Sequence, residues 1–176
     1  MLIIVPYVDG MLQPKTQMTP GAEFVELPAD DPYAYWRLIV RLYEHGDDFC
    51  IVEHDIVISR EQLDSLDECI EPWCAYGYKR GGAEMVALGV MRLKSWVMAQ
   101  YPNLLRLETP ERVFFDQCDG TLYGKLRAIN LTVHRHSPDV GHEQSAMRVL
   151  HEWKVSREPI VPYGSSATAE RGEVWT

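Results

Sequence analysis

No stretch of this sequence approaches the ~20 uninterrupted apolar residues a membrane-crossing helix needs, so no span is expected. The opening Met1-Leu-Ile-Ile-Val-Pro6 lacks a basic leader and a long apolar core, and is not expected to act as a signal peptide. Cysteine is scarce and irregularly placed. Cys50, Cys69, Cys74 and Cys118 make no C-x-x-C and no pair of close doublets of the zinc type. Buried thiols packed as small hydrophobes are the plain expectation, and the cytoplasm the expected location. Internal repeats and low-complexity tracts are also missing.

What is there is ordinary for a folded chain: 46% hydrophobic and 24% charged residues among 176. That length makes one domain, and such a domain buries roughly 70% of its unfolded surface. The net charge of −9 disfavours non-specific nucleic-acid binding. It is uneven, however. Residues 1–78 carry 4 basic and 15 acidic side chains, whereas residues 79–135 carry 9 and 5. The basic middle third is suited to an anionic ligand, and equally to a solvated surface.

Leu2–Val5 is a wholly apolar run, which suits a strand buried on both faces of a parallel sheet. Glu23–Leu27 reads as a second strand. Asp31-Pro32 opens a helix whose apolar positions Trp36, Ile39, Val40 and Tyr43 share one face, and Gly46 closes it. Residues 48–52 return to strand, and Ile56–Ile58 are expected to extend it. Ser59-Arg-Glu-Gln62 is a capping-box signature for a short helix. This alternation predicts an α/β layer with right-handed crossovers. Further along, Trp73–Tyr78 and Glu84–Met91 read as strands, Ser95–Tyr101 and Asp119–Ile129 as helices, and Leu131–His134 as a strand. Residues 1–157 are expected to form one domain and residues 158–176, rich in Pro, Gly, Ser and Thr, a flexible tail.

The informative stretch is Phe49-Cys-Ile-Val-Glu-His-Asp-Ile-Val-Ile58. Glu53 and Asp55 interrupt an apolar strand, and burying two carboxylates without partners would cost several kcal/mol. Either a divalent cation at the carboxyl edge of the sheet compensates them, or a turn after Val52 leaves them solvated. Trp73, Tyr76 and Tyr78 suit stacking on a ligand or a place in the core. Arg92 and Lys94 suit phosphate contacts or exposed positions. Gly81-Gly82 suits a mobile acceptor loop or a simple turn.

An apolar strand followed by acidic-x-acidic and a β-branched run resembles the DXD-type motif of GT-A-fold glycosyltransferases, with Glu-His-Asp in place of Asp-x-Asp. The resemblance is strongest to small phage and actinobacterial glycosyltransferase-like proteins. It rests on Val52-Glu-His-Asp-Ile-Val57, Cys69-Ile-Glu-Pro-Trp-Cys74, Ala87-Leu-Gly-Val90, Cys118-Asp119, and His134-Arg-His136-Ser-Pro138 through His142. Together these span about residues 49–142, with Ile3-Ile-Val-Pro-Tyr7 matching more loosely. It implies a compact GT-A-like, Rossmann-like fold with a mainly parallel sheet flanked by helices. It also implies transfer of a sugar from a nucleotide-diphosphate sugar to an acceptor hydroxyl, with Mn²⁺ or Mg²⁺.

In that picture Pro6, Tyr7 and Val8 line the nucleotide pocket, Asp55 ligates the metal, and Glu53 contacts the ribose or a metal-bound water. His136 is the choice for completing the metal site, with His134 and His142 as competitors, and at most one of His134 and His136 is expected to fit. Asp119, at a predicted helix N-terminus, is the candidate base for an inverting transfer; an N-cap is its other role. A modified base in phage DNA is one acceptor compatible with the resemblance, and the location would then be a host cytoplasm. The shortness of the chain suggests a homo-oligomer or a partner subunit. A second enzymatic reading keeps the fold and metal but changes the reaction to nucleotidyl transfer or hydrolysis of the nucleotide sugar, and two other classes are compatible with the sequence. One is a degenerate GT-A-like module that binds a nucleotide without turnover. The other is a zinc-binding structural module using Cys69, Cys74 and His136 or His142.

Overall fold

The computed structural model describes residues 1–80, 83–85, 89–106 and 113–142. The chain forms β1 (Leu2–Tyr7), β2 (Glu23–Glu26), α1 (Ala34–His45), β3 (Phe49–Val52), β4 (Ile56–Val57), α2 (Arg60–Glu68) and β5 (Trp73–Tyr76). Then come β6 (Tyr78–Arg80), β7 (Ala83–Met85), β8 (Val90–Leu93), α3 (Ser95–Gln100), α4 (Cys118–Ala128), β9 (His134–His136) and β10 (Gly141–His142). Six strands make the main sheet, in the order β2-β1-β3-β8-β5-β9. β1 is parallel to β2 and β3, and β5 to β9, while β8 runs against both of its neighbours. The architecture is the mixed α/β, mainly parallel sheet flanked by helices that the sequence predicts. No described helix is long and apolar enough to cross a membrane.

Strand periodicity explains the layering. Phe49 and Ile51 join a core with Trp36 and Ile39 of α1, Val97 of α3, and Leu122 and Leu126 of α4. Cys50 and Val52, alternating with them, face Leu63 and Leu66 of α2. Each such side chain contributes about 1.5–3 kcal/mol by leaving water. Both faces of β3 are thus buried, as its unbroken apolar run demands.

Local chemistry fixes the ends of the helices. The Asp31 carboxylate accepts from the Tyr33 amide at 3.1 Å and pairs with Arg37. α1 begins at Ala34, two residues after the expected Pro32, and ends at Gly46 with φ +86°. The capping box of α2 is formed: the Gln62 amide donates to Ser59 Oγ at 3.2 Å and the Ser59 amide to Gln62 Oε1 at 3.0 Å.

Four expected elements are corrected. Ile56–Ile58 does not extend β3, because a turn intervenes; β4 pairs instead with β10. The strand expected over 73–78 divides at Gly77, where an added Cβ would lie 2.6 Å from the Arg135 side chain. The segment expected as one strand over 84–91 contributes to both β7 and β8. β9 starts three residues later than the expected Leu131, after the helix end is closed by Leu131 donating to the Leu126 carbonyl. Gly81-Gly82, Ala87, Leu88 and the expected tail 158–176 lie outside the described residues.

Candidate functional site

The winding of the sheet reverses at β1. The chain goes from β1 to β2 on one side, then returns to place β3 on the other. In open α/β sheets such a reversal leaves a crevice at the carboxyl ends of the two central strands, where ligands bind. Here β1 passes through buried Pro6 to end at the half-buried Tyr7, with half-buried Val8 following. The Tyr7 hydroxyl donates to Glu26 Oε2 at 3.4 Å. β3 ends in Val52 and passes into a turn over Glu53–Ile56, closed by the Ile56 amide donating to the Glu53 carbonyl at 3.1 Å.

The turn is held from two sides. The Glu53 amide donates to the Gly89 carbonyl at 2.8 Å, and the His54 carbonyl accepts from the Gln13 amide at 3.1 Å. Buried Thr16 adds a hydroxyl bond to the Ile56 carbonyl at 2.9 Å. The loop after β1 therefore closes over the acidic turn. Glu53 is half-buried, but His54 and Asp55 are each only 5% exposed. A turn is present, yet the carboxylate it carries at position 55 is not solvated.

Asp119 belongs to the same neighbourhood as Glu53. Burial pushes the Tyr35 hydroxyl well above its ordinary range, and the charges of Glu53 and Asp119 push it further. Burial likewise raises the Cys118 thiol, with Asp119 and then Glu53 adding to it. Both carboxylates therefore act on the same two buried groups. Tyr35 stacks on Phe115 at 4.9 Å between ring centroids, and its buried hydroxyl has no hydrogen-bond partner among the described residues. Asp119 is not the N-cap, which is Gln117; it lies in the first turn of α4, where the helix dipole favours an ionised carboxylate. Sequence reasoning missed Tyr35. Its signal was a polar-tipped aromatic beside Trp36 on a buried helix face.

The histidines divide differently from the expectation. His136 accepts or donates at Nδ1 with Ser65 Oγ at 3.0 Å, and its ring lies 5.2 Å from Tyr76 and 5.0 Å from His134. Burial lowers its pKa, with His134 and Arg92 adding to the effect. Two positions apart on β9, His134 and His136 share a face, which corrects the expectation that only one fits a common site. Cys69 joins them: the three side chains' ligand atoms lie within 4.8 Å of one another. Position 142 goes elsewhere, since β10 places the His142 backbone opposite Ile56, the residue after Asp55.

The other candidates are placed plainly. Trp73, Tyr76 and Tyr78 are core residues. Arg92 is fully buried, against both expectations for it, and its Nη2 donates to the Cys69 carbonyl at 2.7 Å. Lys94 pairs with Asp48 at 3.1 Å. Of the four thiols, Cys69 is half-buried and the rest are buried.

No protein-family model and no curated protein matches the sequence. Solved structures do. A197 from STIV aligns with a TM-score of 0.52 over 82% of this chain and 86% of that one, at 12% identity. A197 shares the fold. At a TM-score of 0.46 and 10% identity, a Bacillus anthracis protein assigned as a glucose-1-phosphate thymidylyltransferase, solved with sucrose, covers 88% of this chain and 76% of its own. A glycosyltransferase involved in the glycosylation of the major capsid of PBCV-1 aligns with a TM-score of 0.45 and 13% identity, over 78% and 83%.

Proposed function

We propose that the chain is a metal-dependent glycosyltransferase that binds a nucleotide-diphosphate sugar in the crevice between β1 and β3. One observation carries this reading. At the reversal point of the sheet, one strand ends in Pro6-Tyr7-Val8 and its neighbour in a turn that buries Asp55 and sets Glu53 near Asp119. The oxygen donors of Asp55 and Glu53 fit Mn²⁺ or Mg²⁺, which are hard cations. Asp55 would hold the ion, and Glu53 the ribose or a water bound to the ion. His136 was the expected third ligand; register makes His142 the position to test beside Asp55. A cation held there would supply positive charge against the departing diphosphate.

The chain's own groups do the rest. Pro6, Tyr7 and Val8 form one wall for the nucleoside. Asp119 would take the proton of the acceptor hydroxyl as its oxygen bonds to the anomeric carbon and the nucleotide diphosphate leaves, a single displacement that inverts that carbon. Tyr35 keeps its proton, because burial and two carboxylates disfavour its ionised form. A hydroxyl on a modified base of phage DNA is one acceptor to assay.

Thermal unfolding of the whole chain with UDP, GDP, CDP and TDP sugars, with and without Mn²⁺, tests the donor site. Ligand at 100 times its Kd stabilises by about 2.7 kcal/mol, a shift of several degrees for a domain this size. The expected result is a shift with one nucleotide that requires Mn²⁺ and disappears in Asp55→Ala. A flat panel on folded protein overturns the transferase reading. Asp119→Asn is expected to keep the shift and to lose roughly 10²–10⁴-fold in turnover. A shift without turnover in the unaltered chain would indicate a degenerate binding module instead.

A further inference from the structure

A second group of metal-ligating side chains lies on the α2 side of the sheet, and it does not depend on the donor site. Cys69, His134 and His136 bring one sulfur and two imidazole nitrogens within 4.8 Å of one another. A tetrahedral zinc ion holds such donors about 3.3–3.6 Å apart, given bonds of roughly 2.0–2.3 Å. Side-chain adjustment of about 1 Å closes that difference, and ordinary rotamer motion provides it.

Rigid elements carry all three donors. Cys69 is the C-cap residue of α2, and Arg92 fixes its carbonyl oxygen from the core. His134 and His136 sit in β9, whose backbone pairs with Cys74 and Tyr76 of β5. Ser65 engages His136 at Nδ1, which leaves Nε2 as the nitrogen available to a metal. That Nε2 is buried and has no hydrogen-bond partner among the described residues. A hydrogen bond on one ring nitrogen with the other turned to the metal is the usual outer-shell arrangement of a ligating histidine.

The surroundings favour a cation. The three donors line a cavity of about 610 Å³ together with Glu61, Asp64, Glu68 and Glu71. Asp64 is paired with Arg60 at 3.0 Å, so Glu61, Glu68 and Glu71 supply the negative lining, and the open depression admits water or a carboxylate as a further ligand. Sulfur and imidazole donors select a borderline ion over the hard Mn²⁺ or Mg²⁺ suited to Asp55.

We propose that Cys69, His134 and His136 form a zinc site with an open fourth position, separate from the acidic turn. The zinc module considered from the sequence used Cys69, Cys74 and His136 or His142; in the fold the mutually close set is Cys69, His134 and His136, and the buried Cys74 thiol lies in hydrogen-bond contact with Cys69.

Cobalt titration of the reduced, chelator-stripped full chain tests this, because a thiolate ligand gives Co²⁺ a charge-transfer band in the near ultraviolet. One equivalent of Co²⁺, displaced by Zn²⁺, is expected to produce the band. Cys69→Ser should abolish it, His134→Ala should weaken affinity at least about tenfold, and Ser65→Ala should weaken it roughly 10–100-fold. Asp55→Ala should leave it unchanged, which separates this site from the proposed donor site. His134 is exposed, so its variant keeps the fold even if another variant does not. A folded chain with no band, a band that survives Cys69→Ser, or binding indifferent to His134→Ala overturns the proposal.

Discussion

Asp48 shows how much one carboxylate can hold. Its Oδ1 accepts from the Ser95 amide at 2.7 Å, capping α3 from another element, and its Oδ2 meets Lys94 at 3.1 Å. Burial alone would raise its pKa, but the Ser95 bonds and Lys94 outweigh that and lower it below the ordinary 3.8. A carboxylate whose folded pKa is depressed stabilises the fold above its unfolded pKa. That contribution is lost as pH falls through the folded value. Asp48→Asn should therefore cost about 1 kcal/mol at neutral pH and flatten the acid limb of a melting-temperature profile below about pH 4. An unchanged acid limb would assign that limb to other carboxylates. Arg92 is the residue the sequence hid most completely. An arginine following a strand signal reads as exposed on average. Its burial depends on the carbonyl of Cys69, twenty-three positions away, and on the strands either side.

Elements were legible where local chemistry decides them. α1 and α2 carry their own punctuation: Gly46, Ser59 and Gln62 do in the fold what their spacing predicts, while Asp31, expected as the N-cap, instead accepts from the amide of Tyr33, the residue that caps α1. Ser59→Ala should cost about 1 kcal/mol, and Gly46→Ala, at φ +86°, about 1–2 kcal/mol. Chemical denaturation of both variants checks the pair, with the midpoint expected to fall at unchanged slope. Elements whose limits are set by partners were not legible. β4 leaves the line of β3 because its hydrogen bonds go to β10, more than eighty residues later. β9 takes its limits from pairing with β5. The candidate site divides in the same way. Glu53 and Asp55 stood out as charges breaking an apolar pattern, and Asp119 as a carboxylate at a predicted helix N-terminus. Tyr35 and the Cys69 trio did not, because only the tertiary fold brings their parts together.

At the scale of the whole molecule, sheet and site are joined through Gly89. Its carbonyl holds the Glu53 amide, while a Cβ there would lie 2.3 Å from the buried ring of Tyr78. Gly89→Ala must displace that ring, and overpacking of this kind costs typically about 1–3 kcal/mol. The variant should unfold several degrees lower and, on the proposed donor site, should also lose part of any Mn²⁺-dependent nucleotide shift. A lowered melting temperature with the full nucleotide shift intact would show that the Gly89 bond does not position the acidic turn. The reversed direction of β8 has an evolutionary consequence. Its neighbours β3 and β5 finish at the edge where the acidic turn lies, but β8 begins there and is paired on both sides as it runs away from that edge. Lengthening a connection costs only about 0.6 kcal/mol per doubling. A lineage of such chains can therefore vary in length ahead of Val90 at little energetic cost, while the strand itself keeps its register between β3 and β5.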